Sequence, residues 1–232
     1  MNNIRLFFPK SLSINFESEL DKPQSHYLVK VMRLKIDNNF LLFNETGEWV
    51  AKIIKIVKDK VYFKIENKFR EKTNEKEVWL AFTPIKLNNL NFLIQKCTEL
   101  GVTKFIPIIS ERTIVRKINL DRLYKIIIEA TEQSNRLNVP KLDQPISLKK
   151  FLKSNEDLSI VFGDLNTGNK KIKIDNDKIC VLIGPEGDFS ETEREIILKL
   201  KNIQPFKLNK NILRSETAAI TAISIINHYL DL

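Results

Sequence analysis

Two cysteines, Cys97 and Cys180, and two histidines, His26 and His228, are all that 232 residues contain. Two cysteines cannot build a disulfide framework, and so few histidines offer no metal-ligand spacing, so neither a stapled scaffold nor a metal centre is expected. No apolar run approaches the roughly 18–20 residues of a membrane span. The longest, Ala218 to Ile226, is interrupted by Thr221 and Ser224. Met1-Asn-Asn-Ile-Arg5 has no apolar h-region, so no secretory signal is expected and the chain reads as cytoplasmic. Glycine is scarce, at six. With 43% hydrophobic and 29% charged residues, the composition excludes a collagen-like repeat, a low-complexity linker and a wholly disordered chain.

What is abundant is base: 38 Lys and Arg against 29 Asp and Glu, a formal net charge of +9. Such an excess suggests an acidic partner, most commonly nucleic acid, although a lysine-rich composition would produce the same balance. Only nine of the basic residues are arginine. Against that background, a position holding Arg or Gly is a better candidate for chemistry than one holding Lys.

The chain changes character across Phe69-Arg-Glu-Lys-Thr-Asn-Glu-Lys76, and the expected division is 1–72 and 73–232. In the first segment Val61, Phe63 and Ile65 alternate with polar neighbours, a period of two. Trp49 to Val57 reads as another strand with its phase slipped near Ile53, and Asn44-Glu-Thr-Gly47 as a hairpin turn. Several short strands in about seventy residues predict a small barrel. In the second segment strands and helices alternate. Strands are expected at Val78–Phe82, Lys104–Ile109, Ser159–Phe162, Ile179–Ile183 and Pro205–Leu208. Helices are expected from Leu90 to Gly101, from Leu120 to Ser134, after the capping box Ser190-Glu-Thr-Glu193, and from a Ser215 cap to about Leu230. This pattern predicts an α/β domain with a mostly parallel sheet. Cys97 and Cys180 fall on a buried helical stripe and inside a strand, and both read as core residues.

In such sheets ligands bind beyond the carboxyl ends of the strands. Three loops lie there: Gly163-Asp164, Gly184-Pro-Glu-Gly187, and Asn209-Lys-Asn211 leading into Ile212-Leu-Arg-Ser-Glu-Thr-Ala218. Neither G-x-G-x-x-G nor G-x-x-x-x-G-K-[ST] occurs, so phosphate-cradling motifs are missing. On the residues alone, Gly184 and Gly187 either permit a tight turn or approach a ligand closely.

Gly184-Pro-Glu-Gly-Asp-Phe-Ser190 followed by Ile212-Leu-Arg-Ser-Glu-Thr-Ala218 resembles the bacterial ribosomal RNA uridine-N3 methyltransferases of the SPOUT superfamily. The resemblance continues through Gln95-Lys-Cys-Thr-Glu-Leu-Gly-Val102, Pro107 to Arg112, Glu129 to Arg136 with Pro140, and His26-Tyr-Leu with Val31-Met-Arg33. It runs nearly end to end. It implies an N-terminal PUA-like RNA-binding β-barrel, a C-terminal α/β domain with a trefoil knot, S-adenosylmethionine as cofactor, small-subunit (16S) ribosomal RNA as partner, and a homodimer. Asp188 stands where the family usually has a second glycine, Asn209 where glycine is usual, and Asp37-Asn38 where Gly-Asp is usual. Asn and Asp best tolerate left-handed geometry among non-glycine residues, so these turns are expected to persist.

The resemblance implies cofactor contacts from Phe162, Gly163, Leu182, Ile183, Gly184, Pro185, Glu186, Gly187, Leu208, Asn209, Ile212, Leu213, Ser215 and Thr217. Phe189 would line the cleft or anchor its loop. Arg136 and Arg214 are candidates for orienting the uridine or stabilising charge on its carbonyl oxygens. Glu216 is a candidate base, with a capping role as the alternative. Lys30, Arg33 and Arg112 read as RNA phosphate contacts, and His26 as either an RNA contact or a packed residue. The alternative function is a noncatalytic RNA-binding protein with a degenerate methyltransferase domain, or the same enzyme class acting on another RNA. The final helix, apolar at Ile220, Ile223, Ile226 and Leu230 and small at Ala218, Ala219 and Ala222, is expected to be covered on two sides, one by a second copy.

Overall fold

Alternation organises the first part of the chain: Val61, Phe63 and Ile65 are fully buried, and Tyr62, Lys64 and Glu66 between them are more accessible. The structure is a computed structural model, and residues 4–168, 172–173 and 178–230 are described. It divides into two units, Met1–Asn74 with Thr131–Val139, and Glu75–Ala130 with Pro140–Leu232. No composition break marks Thr131–Val139 as part of the first unit.

The first unit contains strands β1 (Arg5–Phe7), β2 (Glu17–Glu19), β3 (Asn39–Asn44), β4 (Gly47–Val57) and β5 (Lys60–Arg70). They form one mixed sheet in the order β1-β3-β4-β5-β2, parallel only between β1 and β3. One core receives Leu6, Phe40, Leu42, Ile53, Phe63 and Ile65 from four of these strands. The expected phase slip in β4 is real: the register against β5 shifts at Glu48/Trp49, Val50/Ala51 and Ile53/Lys55. The turn before β4 closes because Asn44 Oδ1 accepts from Thr46 N at 2.8 Å and Gly47 adopts φ 115°. A Cβ at Gly47 would lie 2.7 Å from the Arg70 carbonyl oxygen, so the position requires glycine. Between β2 and β3 sits helix α1 (Lys22–His26), capped by Asp21, which accepts from Gln24 N at 2.8 Å. It runs directly into a π-helical turn, Tyr27–Val31.

A buried ionic centre ties this unit together. The Glu48 side chain is 1% exposed and receives Arg5 Nε on Oε1 and Arg70 Nε on Oε2 at 3.1 Å. The Arg5 guanidinium also donates to the carbonyls of Glu132 and Arg136, both at 2.8 Å, and lies 4.5 Å from the Phe43 ring centroid. Charge, hydrogen bonding and aromatic packing therefore converge on one arginine.

The second unit holds a sheet of β6 (Glu77–Phe82), β7 (Lys104–Ile109), β8 (Lys141–Leu142), β10 (Ser159–Gly163), β11 (Lys178–Ile183) and β12 (Ile203–Phe206), in the order β12-β10-β11-β6-β7-β8; β9 (Ile146–Ser147) also pairs with β7. Every described pairing in it is parallel. Five successive residues of β11, Ile179 to Ile183, are buried, as a strand covered on both faces requires. The helices are α2 (Leu87–Glu99), α3 (Leu120–Gln133), which ends in the first unit, α4 (Leu148–Ser154), α5 (Glu191–Leu198) and α6 (Ser215–Tyr229). The expected capping box opens α5, with Ser190 Oγ accepting from Glu193 N and the Glu193 carboxylate from Ser190 N, both at 3.2 Å. Cys97 and Cys180 are buried in α2 and β11, and burial pushes the Cys180 thiol up to about 12.

Two local expectations need correction. The last strand is Ile203–Phe206 rather than Pro205–Leu208, because its partner β10 ends at Gly163, opposite Phe206. Pro205 is accommodated because β12 is an edge strand. Ser215 does not cap α6. Arg214 holds the cap position without a side-chain bond, and Ser215 begins the helix with its hydroxyl turned to Gly184. The buried side of α6 (Ala219, Ala222, Ile223, Ile226) packs with α2 and the sheet, and Asn227 Nδ2 donates to Leu100 O at 2.6 Å.

Glu48→Ala would leave Arg5 buried without its counter-ion, and breaking a buried pair in this way typically costs about 3–5 kcal/mol. Thermal denaturation should show a lowered melting temperature for Glu48→Ala, with a much smaller loss for exposed Glu66→Ala as control.

Candidate active site

Parallel strands deliver their carboxyl ends to one edge of the sheet, so the chain emerging from β10, β11 and β12 meets there. The result is an open cleft, lined by Gly163, Asp164 and Leu165 at and after the end of β10, Ile183 to Glu186 and Asp188 at and after the end of β11, and Leu208 to Leu213, Ser215 and Ala218 before and within α6, excepting Lys210. Of the residues expected in it, Gly163, Ile183, Gly184, Pro185, Glu186, Leu208, Asn209, Ile212, Leu213 and Ser215 line it. Phe162 and Leu182 are fully buried in the core behind it, Gly187 belongs to the turn, and Thr217 is exposed on α6. Asp164, Leu165, Asp188, Asn211 and Ala218 complete the lining.

Each loop is fixed by a specific device. Ser215 Oγ donates to Gly184 O at 3.2 Å, joining the start of α6 to the end of β11. Asp188 N donates to Pro185 O at 2.9 Å, closing a tight turn, and Asp188 takes φ 58°. Aspartate thus occupies the left-handed conformation that a second glycine would otherwise supply, stabilised by Phe189 N donating to its Oδ1 at 2.7 Å. Asp37 adopts the same conformation at φ 69°. Asn209 does not; it holds its loop instead as an Asx turn, accepting from Asn211 N at 3.0 Å. Phe189 anchors rather than lines, with its ring 5.8 Å from that of Phe162. A Cβ at Gly184 would meet the Phe189 ring at 3.1 Å, so close packing, not a positive φ, requires that glycine.

The strongest contact at the cleft is one the sequence reading passed over. Asp164, 2% exposed, receives Arg194 from α5 in a bidentate pair, Nε to Oδ1 at 3.2 Å and Nη2 to Oδ2 at 2.7 Å. Asp164 Oδ1 also accepts from Asn166 N at 3.0 Å. The hydrogen bond to Asp164 raises the Arg194 pKa above its ordinary value. The signal available in the sequence was an arginine in a lysine-rich chain.

Arg214 is exposed at the cap of α6, and among the described residues its guanidinium has no hydrogen-bond or ion-pair partner. Glu216 is buried in the first turn of the same helix, where the dipole favours a carboxylate. Arg112, expected on phosphate, donates Nη1 to Gly187 O at 2.8 Å and clamps the turn after β11. Arg136, Lys30 and Arg33 belong to the first unit. The Arg136 carbonyl accepts from Arg5, and Lys30 pairs with Asp59 at 2.8 Å. Arg33 is exposed in a left-handed conformation, φ 57°, just past the π-helical turn. His26 is exposed, which removes the packed reading.

A family model described as an RNA methyltransferase domain matches residues 72–227, and one described as an RNA methyltransferase PUA domain matches residues 20–66. The ribosomal RNA small subunit methyltransferase E of Rickettsia conorii is 35% identical over 227 residues, covering 95% of this chain and 93% of that protein. Among solved structures, a putative methyltransferase of Legionella pneumophila in complex with the cofactor SAM superposes with a TM-score of 0.89 at 28% identity, covering 99% of this chain and 98% of the other. A ribosomal RNA small subunit methyltransferase E of Neisseria gonorrhoeae bound to S-adenosyl methionine gives 0.88 at 29%, covering 98% of each.

Arg194→Met keeps the aliphatic stem but leaves the Asp164 carboxylate buried without its cation. Arg194 is partly solvated, so the expected loss is about 1–3 kcal/mol, read as a lower melting temperature. The double variant Arg194→Met/Asp164→Asn should regain part of it, because no uncompensated charge then remains.

Proposed function

The chain belongs to the ribosomal RNA small subunit methyltransferase E family, and from that premise we propose that it methylates N3 of a uridine in 16S ribosomal RNA. It is an S-adenosylmethionine-dependent methyltransferase of small-subunit rRNA. The observation that carries the reading to this chain's own residues is the cleft at the carboxyl edge of the parallel sheet. Its lining fits the cofactor: Ile183, Leu208, Ile212 and Leu213 offer apolar surface to a flat heteroaromatic ring, and Gly163 and Gly184 leave room for Ile183, Leu208 and Phe189 to pack the walls closely. Among the described residues it contains no basic side chain, which suits a sulfonium ligand and not a polyphosphate. The cofactor-binding residues are those of the sequence-named set that line the cleft, with Asp164, Leu165, Asp188, Asn211 and Ala218 added and Phe162, Leu182 and Gly187 supporting the walls. S-adenosylmethionine supplies an activated methyl group when bound.

The residues of the chain have two remaining tasks. Uridine N3 carries a proton at neutral pH, so methylation requires that proton removed and the resulting charge on the carbonyl oxygens stabilised. Arg214, exposed and without a partner among the described residues, lies between the lining residues Leu213 and Ser215, and it fits the stabilising role. Glu216 is the candidate acceptor of the proton, and Arg136 a second candidate for orienting the base. RNA is held by phosphate contacts from Lys30 and Arg33 in a PUA-like domain of residues 1–72, joined by Arg112 in the methyltransferase domain of residues 73–232. Residues 1–72 carry 14 basic against 9 acidic residues, which supports this division of labour.

Three further features belong to the same reading. The second domain threads as a trefoil knot. The protein is a homodimer, for which Leu87 and Phe92 on α2, 50% and 47% exposed, together with the accessible side of α6, offer an apolar surface. It acts in the cytoplasm, where its RNA substrate is. No described helix is long and apolar enough to cross a membrane.

Incubation with small-subunit rRNA and methyl-labelled cofactor, followed by nucleoside mass spectrometry, should place the label in 3-methyluridine. Label in another nucleoside would overturn the assignment of N3, and no label would overturn the activity. Arg33→Ala should weaken RNA binding and shallow its salt dependence with cofactor affinity unchanged. Arg214→Ala should instead lower turnover of bound RNA. A solution mass equal to one chain, with methylation intact at that concentration, would refute the dimer.

A further inference from the structure

The charge of the cleft runs against the charge of the chain. A protein of net +9 lines this site, among the described residues, with three carboxylates and no basic side chain. The three are not equivalent. Asp164 is neutralised by its bidentate pair with Arg194, and Glu186 is solvent-exposed. Asp188 is half-buried and has no ion-pair partner among the described residues; the Arg194 guanidinium feels its charge but is hydrogen-bonded to Asp164. Its side chain is held, not free to swing: the backbone is fixed at φ 58°, Phe189 N donates to Oδ1 at 2.7 Å, and that oxygen lies 3.4 Å from where a Cβ on Gly184 would stand. Arg112 contacts this turn but does not line the cleft, and its Nη1 is committed to the carbonyls of Gly187 and Phe189.

Methyl transfer changes the charge of what this cleft holds. The donor carries an ammonium, a carboxylate and a sulfonium, a net +1; after the methyl has left, sulfur is a neutral thioether and the net charge is zero. Adenosine, ribose and amino-acid portions are the same in both. A fixed carboxylate outside any described ion pair therefore acts on the difference between donor and product, whereas the apolar wall binds both equally.

We propose that Asp188 is a specificity-determining residue that tilts the cofactor cleft toward the cationic methyl donor and against its demethylated product, limiting product inhibition. This rests on the cofactor reading above. A second glycine at this position would preserve the turn and lose the discrimination.

Asp188→Asn is the clean variant, because Asn keeps the Oδ1 acceptor for Phe189 N, tolerates the left-handed backbone and removes only the charge. Isothermal calorimetry with S-adenosylmethionine and with S-adenosylhomocysteine gives a ratio of product Kd to donor Kd for each protein. Removing one unit charge from a partly solvated cleft should lower that ratio by about three- to tenfold, through weaker donor binding. Glu186→Gln, whose charge is exposed and screened, should change it less. An unchanged ratio in Asp188→Asn, with both ligands still bound, would overturn the role of Asp188 and leave the cofactor site standing. Binding of neither ligand to the unaltered protein would overturn the cofactor site itself, and this inference with it.

Discussion

A parallel sheet cannot scatter its loops. Because β10, β11 and β12 run the same way and sit in matched register, Phe162 opposite both Leu182 and Pro205, their carboxyl ends must emerge side by side. Everything chemical in the second unit follows from that constraint. Gly163 and Gly184 become neighbours across the strand pair although twenty residues of sequence separate them. The register also decides where β12 stops, which releases Leu208 to Leu213 to form the third wall before α6 begins. Ser215 then fastens that wall to the second through Gly184.

Polar groups inside each unit are handled by the same device, an arginine committed to a nearly inaccessible carboxylate. In the first unit Glu48 gathers Arg5 and Arg70, and Arg5 extends the network to backbone carbonyls. In the second, Arg194 locks Asp164 beside the cleft. The planar guanidinium satisfies two acceptor oxygens at once, which a lysine ammonium does not do with comparable geometry. Arg5, Arg70 and Arg194 are thus placed where orientation matters, whereas Arg33 and Arg214 are exposed. Rigid walls around an open cleft reduce the ordering cost of binding, and that preorganisation is what a positioning reaction such as methyl transfer needs.

Periodicity made the sheet legible. Val78–Phe82, Lys104–Ile109 and Ile179–Ile183 were readable because buried parallel strands are continuous apolar runs, and Ser190 with Glu193 because a capping box is a local signal. The edge strand was displaced by two residues because its limits are set by its partner, which no local pattern encodes. β1 and β2, three residues each, are too short for a period to appear, and the π-helical turn at Tyr27 has no signature in composition. In the cleft, apolar and glycine positions came from the loops themselves. Arg194 was missed because its partner lies 30 residues away, and Asp188 could be recognised as left-handed only through the family pattern. Asn209 shows the opposite case, an expected left-handed site that the chain solved with a side-chain hydrogen bond.

The central claim is that three sequence-distant loops form one cofactor cleft, and hydrogen exchange measured with and without S-adenosylmethionine tests it most directly. Amide protection should rise together in peptides covering residues 163–166, 184–189 and 208–218, with little change in the sheet core, which is already protected. Protection confined to one of the three, or appearing elsewhere while these remain unchanged, would contradict the account.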